Sequence, residues 1–413
     1  MTDSHQLRIS EVMSASSPSP PAAHPLRLLG ILSVLMGFAA ISTDFYLPAM
    51  PTMSQALQAP GGEMAWTISG YLVGFSFSQL IWGPISDHYG RRLPIALGLV
   101  LFTLGSAGCA LSNSITTLIA FRILQAIGAC ANVVIARAMV RDLYHGHRAA
   151  QMLSTLMTVT AITPLLAPLI GGQILTLWGW RAIFVSLVCV GIIMLGSMIF
   201  LPETLPRRDE RPHSVFHAFS HYAHLIRRPR LIGYAGAGGC YYAGTFAYIS
   251  GSPFAYISYH HASSLLYALL FGMGIVGIMA ANMINSRLVR TWGSDRLLIM
   301  GAVISALASL WLVADVWTDF GGIWGLFLPL FLFVSMAGFI VANSLSGAMH
   351  DDPAHAGTVS ALTGAVHYGS GIIGSGMVGL LTDGTPRPMA TTISVGTVLS
   401  LAFLLLIHKN RRG

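Results

Sequence analysis

The segment LPETLPRRDERPHSVFHAFSHYAHLIRRPR, residues 201–230, is the longest polar stretch in a chain otherwise dominated by apolar residues. Its place decides the architecture, because six apolar runs precede it and six follow. Of the 413 residues 54% are hydrophobic and 9% charged, with a mean hydropathy of +0.68, a balance foreign to water-soluble domains of this length. The chain reads as an all-α membrane protein.

Crossing a hydrocarbon core of roughly 30 Å takes about 20 apolar residues in a helix. Twelve runs qualify, at 28–49, 64–84, 94–112, 115–137, 152–177, 181–201, 231–252, 264–284, 296–314, 322–346, 357–381 and 390–408. Asn113 and Ser114 are all that separates the third run from the fourth. The domain layout is then a polar tail over 1–26, a six-helix bundle over 27–202, a linker over 203–230, a second bundle over 231–408, and a short tail over 409–413.

Basic residues flanking short loops stay on the cytoplasmic side. With both termini inside, every Lys and Arg among the 22 is cytoplasmic except Arg181 and Arg387, placed outside, and Arg122 and Arg137, placed within spans. The net charge of +7 therefore describes topology, and nucleic acid is not an expected partner. The Ser, Pro and Ala rich N-terminus lacks the pattern of a cleaved signal. The four cysteines fall inside spans and suggest neither a disulfide nor a metal site.

The halves share a further mark. GRRLPIALG at 90–98 and GSDRLLIMG at 293–301 begin and end with glycine at an offset of 203 residues. Such repeats in a polytopic chain point to two bundles that rock about a site near the midplane.

GPISDHYGRRLPI (83–95) resembles the G-x-x-x-D-x-x-G-R-R/K signature between the second and third helices of the major facilitator superfamily. RILQAIGACA (122–131) resembles the fourth-helix signature of its proton-coupled members, and TPLLAPLIGG (163–172) the fifth-helix antiporter signature, with Ala167-Pro168 standing where Gly-Pro is usual. With TDFYLPAMP (43–51) and LPETLP (201–206), the likeness points to the twelve-span drug:proton antiporters and their bicyclomycin-resistance branch. It implies an inner-membrane exporter of hydrophobic or cationic drugs, driven by the proton gradient, monomeric and without a cofactor. It also implies a cytoplasmic latch built from Gly83, Asp87, Gly90, Arg91 and Arg92, and a fifth helix whose Pro164, Pro168, Gly171 and Gly172 seal the outer side. Arg290 stands near the place of Asp87 in the second half, so a full latch is expected once. An exporter of a metabolite, such as an amino acid or small peptide, would use the same chemistry.

The residues themselves single out Asp44, in FAAISTDFYLPAMP (38–51), as the one carboxylate well inside a span. A mid-span Asp costs about 2.5 to 3.5 kcal/mol on insertion, against about 0.3 to 0.6 regained per Leu, Ile or Phe, so it needs a reason. An acid withdrawn from water holds its proton more tightly, which suits proton exchange. A hydrated, structural carboxylate is the alternative, since Pro48 and Pro51 mark the end of the span. At 1.5 Å per residue Arg122 lies about 10 Å and Asp44 about 8 Å below the outer surface, so the two charges share a level. Arg122, Gln125 and Asn132 share a helical face, read here as a wall of a wet cavity. Tyr46, Tyr71, Tyr241, Thr245, Tyr248 and His367 complete the expected substrate cavity. HDDPAH (350–355) has metal-ligand residue types in a short loop, and no metal is expected. GSGIIG (369–374) matches a dinucleotide fingerprint but lies in an apolar span, where Gly371, Ser375 and Gly379 form a helix-packing seam instead. No hydrolase or protease motif is present, so an enzyme is not expected.

Overall fold

The computed structural model describes residues 25–144, 146–205, 228–350 and 356–409, all of them helix or short connection. Residues 1–24 and 410–413 of the expected tails, 206–227 of the linker and 351–355 of the HDDPAH motif lie outside the described residues. The helices are α1 (Pro25–Asp44), α2 (Gly61–Tyr89), α3 (Arg92–Leu111), α4 (Ile115–Leu143), α5 (Gly146–Trp178) and α6 (Trp180–Ser197), then α7 (Pro229–Pro253), α8 (Ser264–Trp292), α9 (Ser294–Thr318), α10 (Gly322–His350), α11 (Ala356–Leu380) and α12 (Arg387–Lys409). Each overlaps one expected run.

Among the described residues nine helices are long and apolar enough to cross a membrane; α2, α7 and α11 fall short in hydropathy. The reason lies in what they touch. Glycine and hydroxyl residues fill them because they pack on other helices: Gly374 of α11 lets its backbone meet the Ala243 carbonyl of α7, and Ser375 donates to the Ala65 carbonyl of α2 (2.9 Å).

Local chemistry sets the ends. Ser114 accepts the Thr117 amide (3.2 Å) and opens α4, which keeps the third and fourth runs apart. Gly90 (φ +86°) and Gly293 (φ +75°) turn the chain into α3 and α9, so the repeat seen in sequence is a repeated left-handed turn. α1 ends at Asp44, and a 3₁₀ turn (Leu47–Ala49) and short helix (Met50–Ala56) follow, each with a proline in its first positions. The single run expected at 322–346 is broken at Met336, between Gly322–Ser335 and Ala337–His350. There Tyr241 Oη donates to the Phe333 (2.9 Å) and Val334 (3.2 Å) carbonyls in the last turn before the break.

In the first bundle α1, α2 and α3 surround α4; in the second α7, α8 and α9 surround α10. The bundles meet along two antiparallel pairs, α2 with α11 and α5 with α8. The first pair runs from Gly62 against Gly379 to Gln79 against Gly364, along the Gly371, Ser375, Gly379 seam; the second from Gly172 near Ser264 to Leu165 against Gly272. Toward the Asp87 end the central helices open to solvent. Among the residues from 128 to 141 of α4 only Val134, Arg137 and Arg141 are partly or fully exposed, and α10 exposes Ala342, Ser346 and His350.

Candidate functional site

Asp44 closes α1 and is buried, 5% exposed; Asp315 is the other buried carboxylate among the described residues. Their settings differ. Asp315 Oδ1 accepts the Gly321 amide (3.0 Å) and shapes a loop, whereas the Asp44 carboxylate receives one hydrogen bond, from neighbouring Thr43 Oγ1 (3.0 Å).

Arg122 of α4 is fully buried beside it. Its Nη1 donates to the Ser42 carbonyl (2.7 Å), two residues before Asp44, and to Gln125 Oε1 (2.6 Å). The guanidinium is sandwiched between the rings of Tyr46 (4.4 Å) and Tyr71 (4.5 Å). Each such face contributes up to about 2 kcal/mol when water is excluded. Tyr71 Oη bonds Ser42 Oγ (2.6 Å) and Tyr46 Oη bonds Thr67 Oγ1 (3.0 Å), so both rings are fixed from behind. Arg122 acts on Asp44 through space, without a direct ion pair. A carbonyl, an amide oxygen and two aromatic faces hold the cation, and the carboxylate is left unclaimed.

Gln125 and Asn132 do share a face with Arg122, but it is not a cavity wall. Both are fully buried against α3: Gln125 Nε2 donates to Ser106 Oγ (2.8 Å), and Asn132 lies over Gly98. α3 glycines admit α4 so closely that these side chains pack between helices. Tyr46 and Tyr71, expected to line the cavity, instead clamp Arg122. Tyr241 is likewise withdrawn, tied to α10, and half-buried Thr245 donates back to the Tyr241 carbonyl (3.1 Å). Tyr248 stacks on Phe271 (centroids 5.6 Å) within electrostatic reach of Asp44. His367 is buried, stacked on Tyr242 (4.7 Å), its Nε2 without a hydrogen bond.

The seam between the bundles is instead lined by Phe75, Tyr242, Phe246 and Tyr368. Phase along the helix separates Tyr242 from Tyr241: one residue turns the ring from α10 to the seam, where it meets Tyr368 (5.8 Å). Phe75 reaches Tyr368 from the first bundle (4.6 Å). The dipeptides Tyr241-Tyr242 and His367-Tyr368 offered the choice, which periodicity within one helix could not make.

At the other end Arg91, 5% exposed, reaches Asp87 Oδ1 (2.6 Å), Ser86 Oγ (2.7 Å) and Asp142 Oδ2 of α4 (2.7 Å). Glu203, after α6, accepts the backbone amides of Arg91 (2.8 and 3.0 Å) and Arg92 (3.1 Å). Arg92 Nη2 donates to the Met198 carbonyl (3.0 Å). Gly90 is required twice, by its φ and because any Cβ would press on Glu203; Gly83 has open space where a Cβ would stand, so packing does not explain it. Asp142 and Glu203 are the partners that motif reading missed, although Glu203 stood in plain view in LPETLP. All these residues belong to the first bundle except Glu203, which opens the linker.

In α5, Gly171 abuts the Phe45 carbonyl, where any Cβ would collide, while Gly172 has only ordinary contacts with Ser264 (3.9 Å). α5 runs unbroken from Gly146 to Trp178 through Pro164 and Pro168. Its stretch after Pro168 thus packs on the residue after Asp44.

The sequence profile of the Major Facilitator Superfamily matches residues 32–375. The chain is 34% identical over 393 residues to the uncharacterized MFS-type transporter YdgK of Bacillus subtilis, covering 94% of this chain and 96% of the relative. It is 29% identical over 387 residues to a bicyclomycin resistance protein homolog of Haemophilus influenzae, covering 93% and 96%. Among solved structures, the E. coli xylose transporter XylE in a partially occluded inward open conformation superposes with a TM-score of 0.71 at 14% identity, over 93% of this chain and 97% of that one.

Proposed function

We infer that this chain, which belongs to the major facilitator superfamily and is a multi-pass membrane transporter and not an enzyme, exports hydrophobic or cationic drugs, bicyclomycin-like compounds among them, in exchange for protons. The name carried by the Haemophilus relative supports a drug over a metabolite as cargo. In this reading all twelve helices cross the bacterial inner membrane, both termini lie in the cytoplasm, and the protein works as a monomer with no cofactor beyond the proton gradient. The closed α5–α8 and α2–α11 contacts then lie outside, and the exposed stripes of α4 and α10 face the cytoplasm.

One observation carries the mechanism: Asp44 is buried with no ion pair among the described residues, while Arg122 gives its Nη1 to the Ser42 carbonyl and Gln125 and keeps Nε and Nη2 free of hydrogen bonds. A carboxylate locked to a guanidinium would exchange its proton poorly. A drug and a proton that compete for one carboxylate weaken each other's binding by the same factor. Protonation from outside releases the drug there, and loss of the proton inside resets the site. A potential of 100 mV supplies about 2.3 kcal/mol per charge moved, enough for roughly 50-fold concentration.

The test uses inverted membrane vesicles with an imposed proton gradient and a pH-sensitive dye. Bicyclomycin, chloramphenicol and quaternary ammonium ions are added in turn, to wild type and to Asp44→Asn at equal protein level. The reading requires compound-induced loss of the gradient in wild type and none in the variant. Equal dissipation in both overturns it.

A further inference from the structure

Arg137 is the second intramembrane cation, and the coupling site does not use it. It lies 15 residues beyond Arg122 on α4, about 22 Å along the axis at 1.5 Å per residue. Arg122 is fully buried and clamped between two rings, whereas Arg137 is exposed and makes no hydrogen bond or ion pair with any described residue. α1, α2 and α3 cover the other faces of α4, so the open side of Arg137 is the gap between the bundles. Consistent with that, it lies within electrostatic reach of Tyr242 on α7 and Tyr368 on α11, both half-buried rings of the second bundle. Neither phenol hydroxyl is hydrogen-bonded to the protein among the described residues.

A guanidinium at span depth costs about 2.5 to 3.5 kcal/mol on insertion, so one without a partner calls for a use. Topology alone does not supply it, because Arg141 and Arg148 already place positive charge at the cytoplasmic end of the same connection. A guanidinium and two phenol hydroxyls with no acceptor among the described residues, on the open side of α4 and across the gap from it, offer what a carboxylate needs: a planar fork for its two oxygens and hydroxyls to complete the shell. Tyr368 also interacts electrostatically with Asp44.

We propose that Arg137, with the hydroxyls of Tyr242 and Tyr368, forms a carboxylate-recognising subsite in the gap between the bundles. It deepens the export reading by adding carboxylate-bearing and zwitterionic amphiphiles to the compounds carried, and it rests on that reading only for the direction of movement.

Equilibrium binding to the purified full chain in detergent tests the subsite without a proton gradient, so its result stands apart from the vesicle experiment. The probes are dansylglycine and its methyl ester, followed by dansyl fluorescence. Wild type binds the free acid at least tenfold more tightly than the ester. Arg137→Gln brings the two within twofold of each other while ester binding stays within twofold of wild type, and Arg137→Lys keeps part of the preference. Ester binding also reports that the variant is folded; Tyr368→Phe, which retains the ring, gives a smaller loss confined to the acid. An undiminished preference in Arg137→Gln, or wild type that binds the acid no better than the ester or binds neither, overturns the proposal.

Discussion

The two bundles repeat a fold but not a chemistry. An offset of 203 residues carries Asp44 to Ala247, Arg122 to Gly325 and Arg91 to Ser294, so these three charged positions of the first bundle meet small residues in the second, while Asp87 meets Arg290 and Arg92 meets Asp295. The second bundle is held by other polar contacts: Asn343 Nδ2 to Asn285 Oδ1 (2.7 Å), Ser309 Oγ with Thr397 Oγ1 (2.8 Å), and Tyr234 Oη donating to Asp295 (2.7 Å). One half concentrates the groups that can change charge or hold a charged turn rigid. The other presents aromatic surface, Tyr242, Phe246 and Tyr368, on the seam. A rocking pair needs only one titrating member, provided the other offers a surface on which varied apolar compounds can rest.

The most severe way to break this contrast is to remove the cation of the first bundle. Arg122→Met keeps length and apolar bulk but leaves the Ser42 carbonyl and Gln125 Oε1 buried without their donor. Each orphaned acceptor costs about 1 to 3 kcal/mol. A large fall in melting temperature is expected for the purified protein, with loss of proton exchange. Asn285→Ala in the second bundle removes one neutral bond, and about 1 kcal/mol is expected from it. Equal melting shifts would erase the asymmetry.

Next comes the latch against its counterpart. Arg91→Ala strips Asp142 and Asp87 of a charge-assisted donor, a loss of about 1.5 to 3 kcal/mol. Arg290→Ala removes an exposed side chain, and a change within about 0.5 kcal/mol is expected. Thermal melts of the two variants side by side check the ranking.

A finer probe sits where the bundles touch near Asp44. Gly171→Ala puts a methyl group into the Phe45 carbonyl, and overpacking of that kind costs about 1 to 3 kcal/mol. Gly172→Ala finds ordinary contact distance. Exchange in vesicles should fall severalfold for the first and stay near wild type for the second. If the neighbours respond alike, α5 does not control the surroundings of Asp44.

Much of this was legible in the chain, and the limits have physical causes. Apolar run length fixed the helices because lipid imposes it, and Asp44 stood out because an acid in such a run is costly. Arg122 was placed at the right level by counting rise per residue. What periodicity cannot give is the partner of a face: Gln125 and Asn132 were read toward water and are met by α3, because Gly98 and Gly105 admit α4 too closely for a cavity. The break at Met336 was hidden for a similar reason, since the hydroxyl that bonds the carbonyls beside it comes from Tyr241 on α7. Glu203 was visible only as part of a motif, for its bonds go to backbone amides, which leave no trace in a one-letter code.

Glu203 supplies the mildest test, and its sign can be worked out. Burial alone would raise its carboxyl, but the amides of Arg91, Leu205, Arg92 and Thr204 favour the ionised form, and the net shift is downward from 4.5. A carboxylate whose value is depressed on folding adds stability above its unfolded value, and that contribution is lost as pH falls through the lower folded value. Wild type should therefore melt above Glu203→Gln at neutral pH, and the gap should narrow as pH drops below about 4.5, the ordinary value of the group. The side chain is largely exposed, so the neutral-pH gap is small and screened by salt. The effect has no counterpart in the second bundle: Gly293, the counterpart of Gly90, has open space where Glu203 stands over the earlier turn. A gap that holds constant from neutral pH to below 4 would mean that Glu203 acts by shape instead of charge, and the electrostatic account of the latch would have to rest on Asp142 and Asp87.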